Sequence, residues 1–245
     1  MKKKTTISVL VPAYNEETLL GKMLSSVRES FRAIGREDYQ LIVCDNNSTD
    51  GTASAAAAAG ARVVFEPHNQ IARARNAAAV AATGKWLIFI DADSRLNPRL
   101  LRRTLENLES GRICGGGARV AMPSAAAPVA MRAGLAFWNA VSVLCGWAAG
   151  SYVYCLRSAW EETGGFDERY YAGEEISFSR RLKKWGRRRG MTFAVISDEA
   201  LETSARKADH FTLGQMIRQV VVCCLPGSLR RRDRCSFWYS RPPVE

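Results

Sequence analysis

With 245 residues, 47% of them hydrophobic and 24% charged, the chain has the balance of a folded domain, which excludes disorder or a fibrous repeat for most of its length. Thirty-five Lys and Arg against 24 Asp and Glu leave a net charge of +11, a field that attracts phosphates on nucleotides, nucleic acids or anionic membranes and is silent about fold. The cysteines at 44, 114, 145, 155, 223, 224 and 235 are odd in number and lack CxxC or Cys/His ligand spacing, which argues against a disulfide scaffold or a zinc module. Before Pro12 only five apolar-rich residues follow the lysines, too few for the core of a signal peptide. The sequence therefore reads as cytoplasmic, with reduced thiols.

In chain order, Ile7 to Val11 is a short β-branched run closed by Pro12, which suits a strand buried on both faces. Leu20, Leu24, Val27 and Phe31 then recur at helical spacing. Leu41 to Cys44 is a second buried strand, and the polar turn Asp45 to Gly51 leads into an alanine-rich segment that stops at Gly60. Arg62 to Phe65 is a third strand. Residues 71 to 82 are helix formers whose alanines predict close helix–sheet packing. Trp86 to Ile90 is the most apolar strand and runs directly into Asp91-Ala92-Asp93. Alternating strands and helices predict an α/β, mostly parallel sheet with ligands at the carboxyl ends of its strands.

The polar residues fall where that prediction needs them. Tyr14-Asn15-Glu16, Asp45-Asn46 and Asp91-Ala92-Asp93 each follow a strand, so three clusters line one rim. Two aspartates at i and i+2 after an apolar strand can hold a hard cation that neutralises a diphosphate.

Six ordered segments make this sequence resemble glycosyltransferase family 2, of the GT-A fold: Val11 to Glu17, Asp45 to Thr52, Ala74-Arg75-Asn76, Asp91-Ala92-Asp93, Gly164 to Glu168, and Gly173-Glu174-Glu175 with Arg181-Leu182. The resemblance covers residues 5 to 190. It implies an enzyme that transfers a hexose from a UDP- or GDP-linked donor to an acceptor hydroxyl, with inversion and with Mn2+ or Mg2+. By resemblance Pro12, Ala13, Tyr14 and Glu16 edge the nucleoside pocket, and Asp45 and Asn46 form its base. Asn46 stands where an aspartate is commoner, which leaves uracil against guanine open. Asn47, Ser48 and Asp50 read equally well as Asx turns capping helices. Asp91 is implied at the ribose or base, and Asp93 at the metal. Arg73 and Arg75 are placed to contact phosphate or to orient the two aspartates, the alternative for Arg73 being a solvated helix face.

The second half carries the acceptor side. After a helix over 98 to 109, Gly115-Gly116-Gly117 suggests a strand whose backbone passes close to a ligand. The 24 residues between Arg132 and Arg157 carry no charge, enough to span a bilayer, but Asn139, Ser142, Gly146, Gly150 and Ser151 interrupt them. An apolar helix over 130 to 147 followed by a core strand at 152 to 156 fits better. Phe137, Trp138 and Trp147 then face either the acceptor or the core. By resemblance Glu175 is the base that takes the acceptor proton, with Glu174 as the alternative and charge at a helix N-terminus as the competing explanation of both. His210 is a candidate further metal ligand, and Arg206 and Lys207 are candidate diphosphate contacts. The basic run 180 to 189 and Arg230-Arg231-Arg232 read as solvated faces or as a peripheral contact with anionic lipid on the inner face of the membrane.

The whole chain, 1 to 245, then forms one GT-A domain: a nucleotide-sugar half over 5 to 96, an acceptor half over 97 to 210, and an extension over 211 to 245. Its partners would be the nucleotide diphosphate sugar and a saccharide or lipid-linked acceptor. A nucleic-acid-binding module fits less well, because the basic runs lie apart from the polar rim and lack interleaved stacking aromatics. A nucleotidyltransferase would need a glycine- and lysine-rich loop after the first strand, which Pro12-Ala13-Tyr14-Asn15 is not. A non-catalytic nucleotide-binding relative is the remaining alternative.

Overall fold

The computed structural model describes residues 5–122, 129–204, 225, 227–235 and 239. Strands β1 (Ile7–Ala13), β2 (Tyr39–Asp45), β3 (Arg62–Phe65) and β4 (Trp86–Ile90) alternate with helices α1 (Glu17–Ala33), α2 (Thr52–Ala58) and α3 (Ile71–Val80). Then follow β5 (Ser94–Arg95), α4 (Pro98–Glu109), β6 (Ile113–Ala121), α5 (Val129–Cys145), β7 (Tyr152–Leu156), α6 (Arg157–Thr163), α7 (Glu174–Arg187) and β8 (Thr192–Thr203). Two 3-10 turns, Ser228–Arg230 and Arg232–Cys235, complete the described elements.

The strands form one sheet in the order β3-β2-β1-β4-β7-β6-β8-β5. The first four are mutually parallel, as the βα alternation predicts. β7 runs antiparallel to both β4 and β6, β6 pairs parallel with β8, and β5 pairs antiparallel with β8.

Both faces of the sheet are covered, which explains why β1 lacks a polar alternation. Ile7, Val9 and Val11 pack with Leu20, Leu24, Val27 and Phe31 of α1 and with Leu100, Leu101, Leu105 and Leu108 of α4. Leu10 faces the opposite way, toward Ala72, Ala74, Ala78 and Ala79 of α3, and the same cluster takes in Phe178, Leu182 and Trp185 of α7. Each such Leu or Phe contributes roughly 1.5–3 kcal/mol relative to leaving it in water. The alanines of α3 thus permit the close helix–sheet approach the sequence suggested.

The uncharged stretch 133 to 156 resolves into α5, a loop and the buried strand β7. Among the described residues no helix is long and apolar enough to cross a membrane. The long strand β8 is absent from the sequence reading. Its apolar run breaks at Ser197-Asp198-Glu199, where the register against β6 jumps from Ala118↔Ile196 to Arg119↔Ala200, so these polar residues bulge out.

The glycines of β6 serve packing, which corrects the expectation of a nearby ligand. A Cβ on Gly116 would run into the Ala194 carbonyl and the Tyr154 ring, and one on Gly117 would lie 2.7 Å from Ala148 Cβ. Tyr154 must fit there because its hydroxyl donates to the Ala194 carbonyl at 2.8 Å and accepts from Asn107 Nδ2 at 2.7 Å. Gly116→Ala should therefore lower unfolding free energy by about 1–3 kcal/mol, the usual range for overpacking. Urea denaturation checks it, and an unchanged midpoint would show that β6 has room to spare.

Candidate active site

The rim is built from loops that tie to one another. Asn15 and Asn47 adopt left-handed backbones at φ 51° and 63°, a region asparagine tolerates better than bulkier residues. The Asn15 N–H donates to Ser48 Oγ at 3.0 Å, and Asn15 Oδ1 accepts from the Thr49 N–H at 2.8 Å. The Glu16 N–H donates to Thr52 Oγ1 at 2.8 Å, and the Thr52 N–H to Asp50 Oδ1 at 3.0 Å. Asp45 accepts the Ser48 N–H at 3.1 Å. Ser48 and Asp50 thus brace the loops as turn residues, while neither α1 nor α2 has a side-chain bond from its N-cap residue.

Asn46 is engaged by its own protein. Its Nδ2 donates to the carbonyls of Glu66 and His68 at 3.2 and 2.6 Å, and its Oδ1 accepts the Gln70 N–H at 2.8 Å. Both donors and a lone pair of the amide are used in fixing the loop after β3, which accounts for an amide at this position. Pro12 is half-buried, and Ala13 and Glu16 are buried beneath the rim.

Above these loops lies a cavity of about 540 Å³. Tyr14, Asn47, His68, Gln70, Arg73 and Arg232 are among its walls. Arg73 Nη2 approaches Glu168 Oε2 at 3.3 Å, so its side chain reaches the cavity from one edge. His68 is exposed, with Nδ1 3.3 Å from Glu66 Oε1. Gln70 Nε2 donates to the carbonyls of Glu168 and Tyr170 at 2.6 and 2.9 Å, joining the first half of the chain to the Gly164–Glu168 loop.

Outside the lining of that cavity, Arg75 forms the floor of the strand-end rim and is only 2% exposed. Its Nη1 donates to Glu174 Oε1 at 2.5 Å, and its Nη2 to Asp91 Oδ1 at 3.0 Å and to the Gly150 carbonyl at 2.7 Å. The Phe166 ring lies 5.3 Å from the guanidinium carbon. Burial opposes the charge of Arg75, but Asp91, Glu174 and Glu175 outweigh it and raise its pKa. Burial also raises the pKa of Glu174, against the pull of Arg75. Glu175 remains half-buried, near Gly150, and is pushed up to about 8, first by burial and then by the charge of Glu174. One guanidinium facing three carboxylates leaves a negative excess that a proton or a cation would balance.

Ala92 is buried, and the aspartates on either side of it bond to different partners, Asp91 to Arg75 and Asp93 to Ser204. The Asp91 N–H donates to the Ser151 carbonyl at 3.2 Å. Asp93 is held beside the end of β8, where its Oδ2 accepts the Ser204 hydroxyl at 3.0 Å and its carbonyl accepts the Ser204 N–H at 3.1 Å. Among the described residues no three His, Cys, Asp or Glu side chains form a metal cluster. His210, Arg206 and Lys207 lie outside the described residues. A site with one or two carboxylates still fits Mg2+ or Mn2+, because these ions commonly complete their octahedron with waters and substrate phosphates.

A family model described as glycosyl transferase family 2 matches residues 8–141, more than half of the chain. The chain belongs to glycosyl transferase family 2. Over 105 residues it is 36% identical to an uncharacterized glycosyltransferase of Mycobacterium tuberculosis (strain ATCC 25618 / H37Rv), covering 43% of this chain and 44% of that one. Over 101 residues it is 37% identical to the glucosyl-3-phosphoglycerate synthase of Mycolicibacterium paratuberculosis, covering 38% of this chain and 30% of that protein. The match thus spans less than half the length of these relatives. Among solved structures it is similar to a mannosyltransferase from Pyrobaculum calidifontis in complex with GDP-Man and Mn2+, at TM-score 0.68, 20% identity, and coverage of 89% of this chain and 61% of that one. It is also similar to glucosyl-3-phosphoglycerate synthase from Mycobacterium tuberculosis in complex with Mn2+, UDP and phosphoglyceric acid, at TM-score 0.59, 24% identity, and coverage of 94% and 78%. At these identities the likeness establishes the fold, which is GT-A.

The sequence reading missed Gln70, Gly150 and Arg232 at the site. Gly150 contributes a carbonyl that any residue could offer, and Arg232 sits in a run of three arginines with no local mark of its direction. Two outcomes follow from the floor. Arg75→Met should lower stability by about 3–5 kcal/mol at pH 8 by stranding Glu174, and by less at pH 5, where the carboxylates take up protons. Urea unfolding at both pH values measures this. The folded chain keeps the Glu175 proton up to about pH 8, whereas an unfolded glutamate releases it near its ordinary 4.5. The contribution of Glu175 to stability is therefore lost as pH rises through that window. Glu175→Gln should flatten the decline in Tm between pH 5 and 8.5, and identical slopes would show that Glu175 titrates normally.

Proposed function

We propose that this protein transfers a hexose from a UDP- or GDP-linked donor to an acceptor hydroxyl on a saccharide or a lipid-linked sugar, with inversion. The observation that carries the reading is Arg75, which gathers Asp91 of the strand-end pair and Glu174 of the helix start at one point. The relatives named above support the donor class, since GDP-Man and UDP are bound in their structures.

In this reading the cavity beside Tyr14, Asn47 and Gln70 takes the nucleoside, and Arg73 and Arg232 face its anionic part. Asp93 would hold Mg2+ or Mn2+ together with diphosphate oxygens, and such an ion supplies charge neutralisation for the departing diphosphate. Asp91 is kept in place by Arg75. Glu174 is occupied by the same guanidinium, so the proton acceptor is Glu175, the half-buried neighbour. The acceptor oxygen bonds to the anomeric carbon as its proton passes to Glu175, and the anomeric carbon–phosphate oxygen bond breaks to release the nucleoside diphosphate.

Thermal shift with UDP and GDP, each with and without Mn2+, tests the donor site. One nucleotide should raise Tm by roughly 5–10 °C at a hundredfold excess over its Kd, only with Mn2+, and Asp93→Ala should remove the gain. Lack of stabilisation by either nucleotide would sink the assignment. Donor turnover by the wild-type chain should rise with pH to a plateau above about 8, following release of the Glu175 proton, and Glu175→Gln should lower it at least about a hundredfold. Full activity in that variant would transfer the role of base to another residue.

A further inference from the structure

Helix α5 carries apolar side chains toward solvent as well as inward, where Met131, Leu135, Trp138 and Val141 are half-buried. Its buried side chains are polar: Asn139 accepts the Val120 N–H at 2.9 Å and donates to the Val120 carbonyl at 2.8 Å, and Ser142 donates to the Trp147 carbonyl at 2.5 Å. Its outer side is apolar, with Phe137 72%, Val143 39% and Leu144 86% exposed and the small residues Ala133, Ala136 and Ala140 exposed between them. A helix at the surface of a soluble domain normally has a polar outer face. A contiguous apolar face of this kind marks a surface that something covers.

The surrounding charge says what that is. Lys183 of α7 donates to the Cys145 carbonyl at 2.6 Å, which sets the basic end of α7 against the last turn of α5. Residues 180 to 189 contain seven Lys or Arg and no acid, and Arg180, Lys184, Arg187 and Arg188 are exposed. Arg132 is exposed at the other end of α5, and no acidic residue occurs between Glu109 and Glu161. A second copy on this face would bring like charges together, whereas a surface of anionic lipid opposes the basic residues and takes up the apolar row.

We propose that the Phe137–Leu144 face of α5, flanked by the basic end of α7, docks this protein on an anionic bilayer, the helix lying in the plane of the interface. At 17 residues α5 lies on the membrane rather than through it. The proposal does not depend on the transferase reading, because it involves neither the cavity nor the floor of the site.

Flotation of the full chain with vesicles of phosphatidylglycerol and phosphatidylcholine, compared with phosphatidylcholine alone, tests it. The protein should rise with the anionic vesicles and be released by added salt. The pair Phe137→Glu and Leu144→Glu should lower partitioning at least about tenfold with the thermal midpoint unchanged, since both side chains are exposed. The separate set Lys184→Glu, Arg187→Glu and Arg188→Glu should abolish the preference for anionic vesicles without touching α5. Equal recovery with both vesicles, failure to float, or unchanged binding in both variants would overturn the proposal. So would a dimer in sedimentation velocity that the α5 pair dissolves, which would make a second copy the occupant.

Discussion

The site depends on keeping one guanidinium charged in the dry interior of the molecule. Arg75 spans three parts of the chain that are distant in sequence: the turn after β4 through Asp91, the start of α7 through Glu174, and the loop before β7 through Gly150. Lysine could not substitute, because the contacts require a planar fork with donors in several directions. Burying such a group is costly, and attraction to its partners offsets the cost only while every partner is present. The arrangement therefore behaves as a unit: losing Asp91 changes the protonation of Glu174 and Glu175, and losing Glu174 changes that of Glu175. Burial, and after it the charge of Glu174 that Arg75 does not fully offset, keeps a proton on Glu175.

Around that floor, the polar residues at the strand ends divide into two groups. Asn15, Ser48, Asp50 and Thr52 spend their hydrogen bonds on one another, and Asn46 spends its amide on the loop after β3. Tyr14, Asn47 and Arg73 face the cavity. The first group fixes the shape, and the second is exposed to a ligand. This division is invisible in a motif, since both groups come from the same short turns and consist of the same residue types.

Much of the sheet was legible because buried parallel strands are short apolar runs, and β1, β2 and β4 each run into polar residues at or just past their ends. Helix α3 was legible from its alanines. Strand β8 was not, because Ser197-Asp198-Glu199 leaves the ladder while the flanking residues pair on either side of it. The triple glycine of β6 misled for a related reason: glycine reports a close approach without saying to what, and the approaching group is Tyr154 with the Ala194 carbonyl. At the site, Asp91, Glu174 and Glu175 could be named from their motifs, but their common dependence on Arg75 is a matter of three-dimensional contact.

The arginine run near the C-terminus shows the same limit most clearly. Arg230, Arg231 and Arg232 look alike in sequence, yet Arg230 ends one 3-10 turn, Arg231 is extended, and Arg232 opens the next, so their surroundings differ. Arg231 pairs with Asp233 in solvent. Arg230 covers the Tyr170 ring at 5.0 Å, and Arg232 donates to Asn69 Oδ1 at 3.2 Å and joins the cavity wall. Just before them, the Leu229 carbonyl accepts the Tyr171 N–H at 2.7 Å, and a Cβ on Gly173 would lie 3.2 Å from the Leu229 side chain. Gly173, left-handed at φ 71°, directly precedes Glu174 and Glu175. The residues that close the cavity and the turn that starts the carboxylate-bearing helix therefore share one anchor, so the C-terminal turns are coupled to the geometry at both ends of the site.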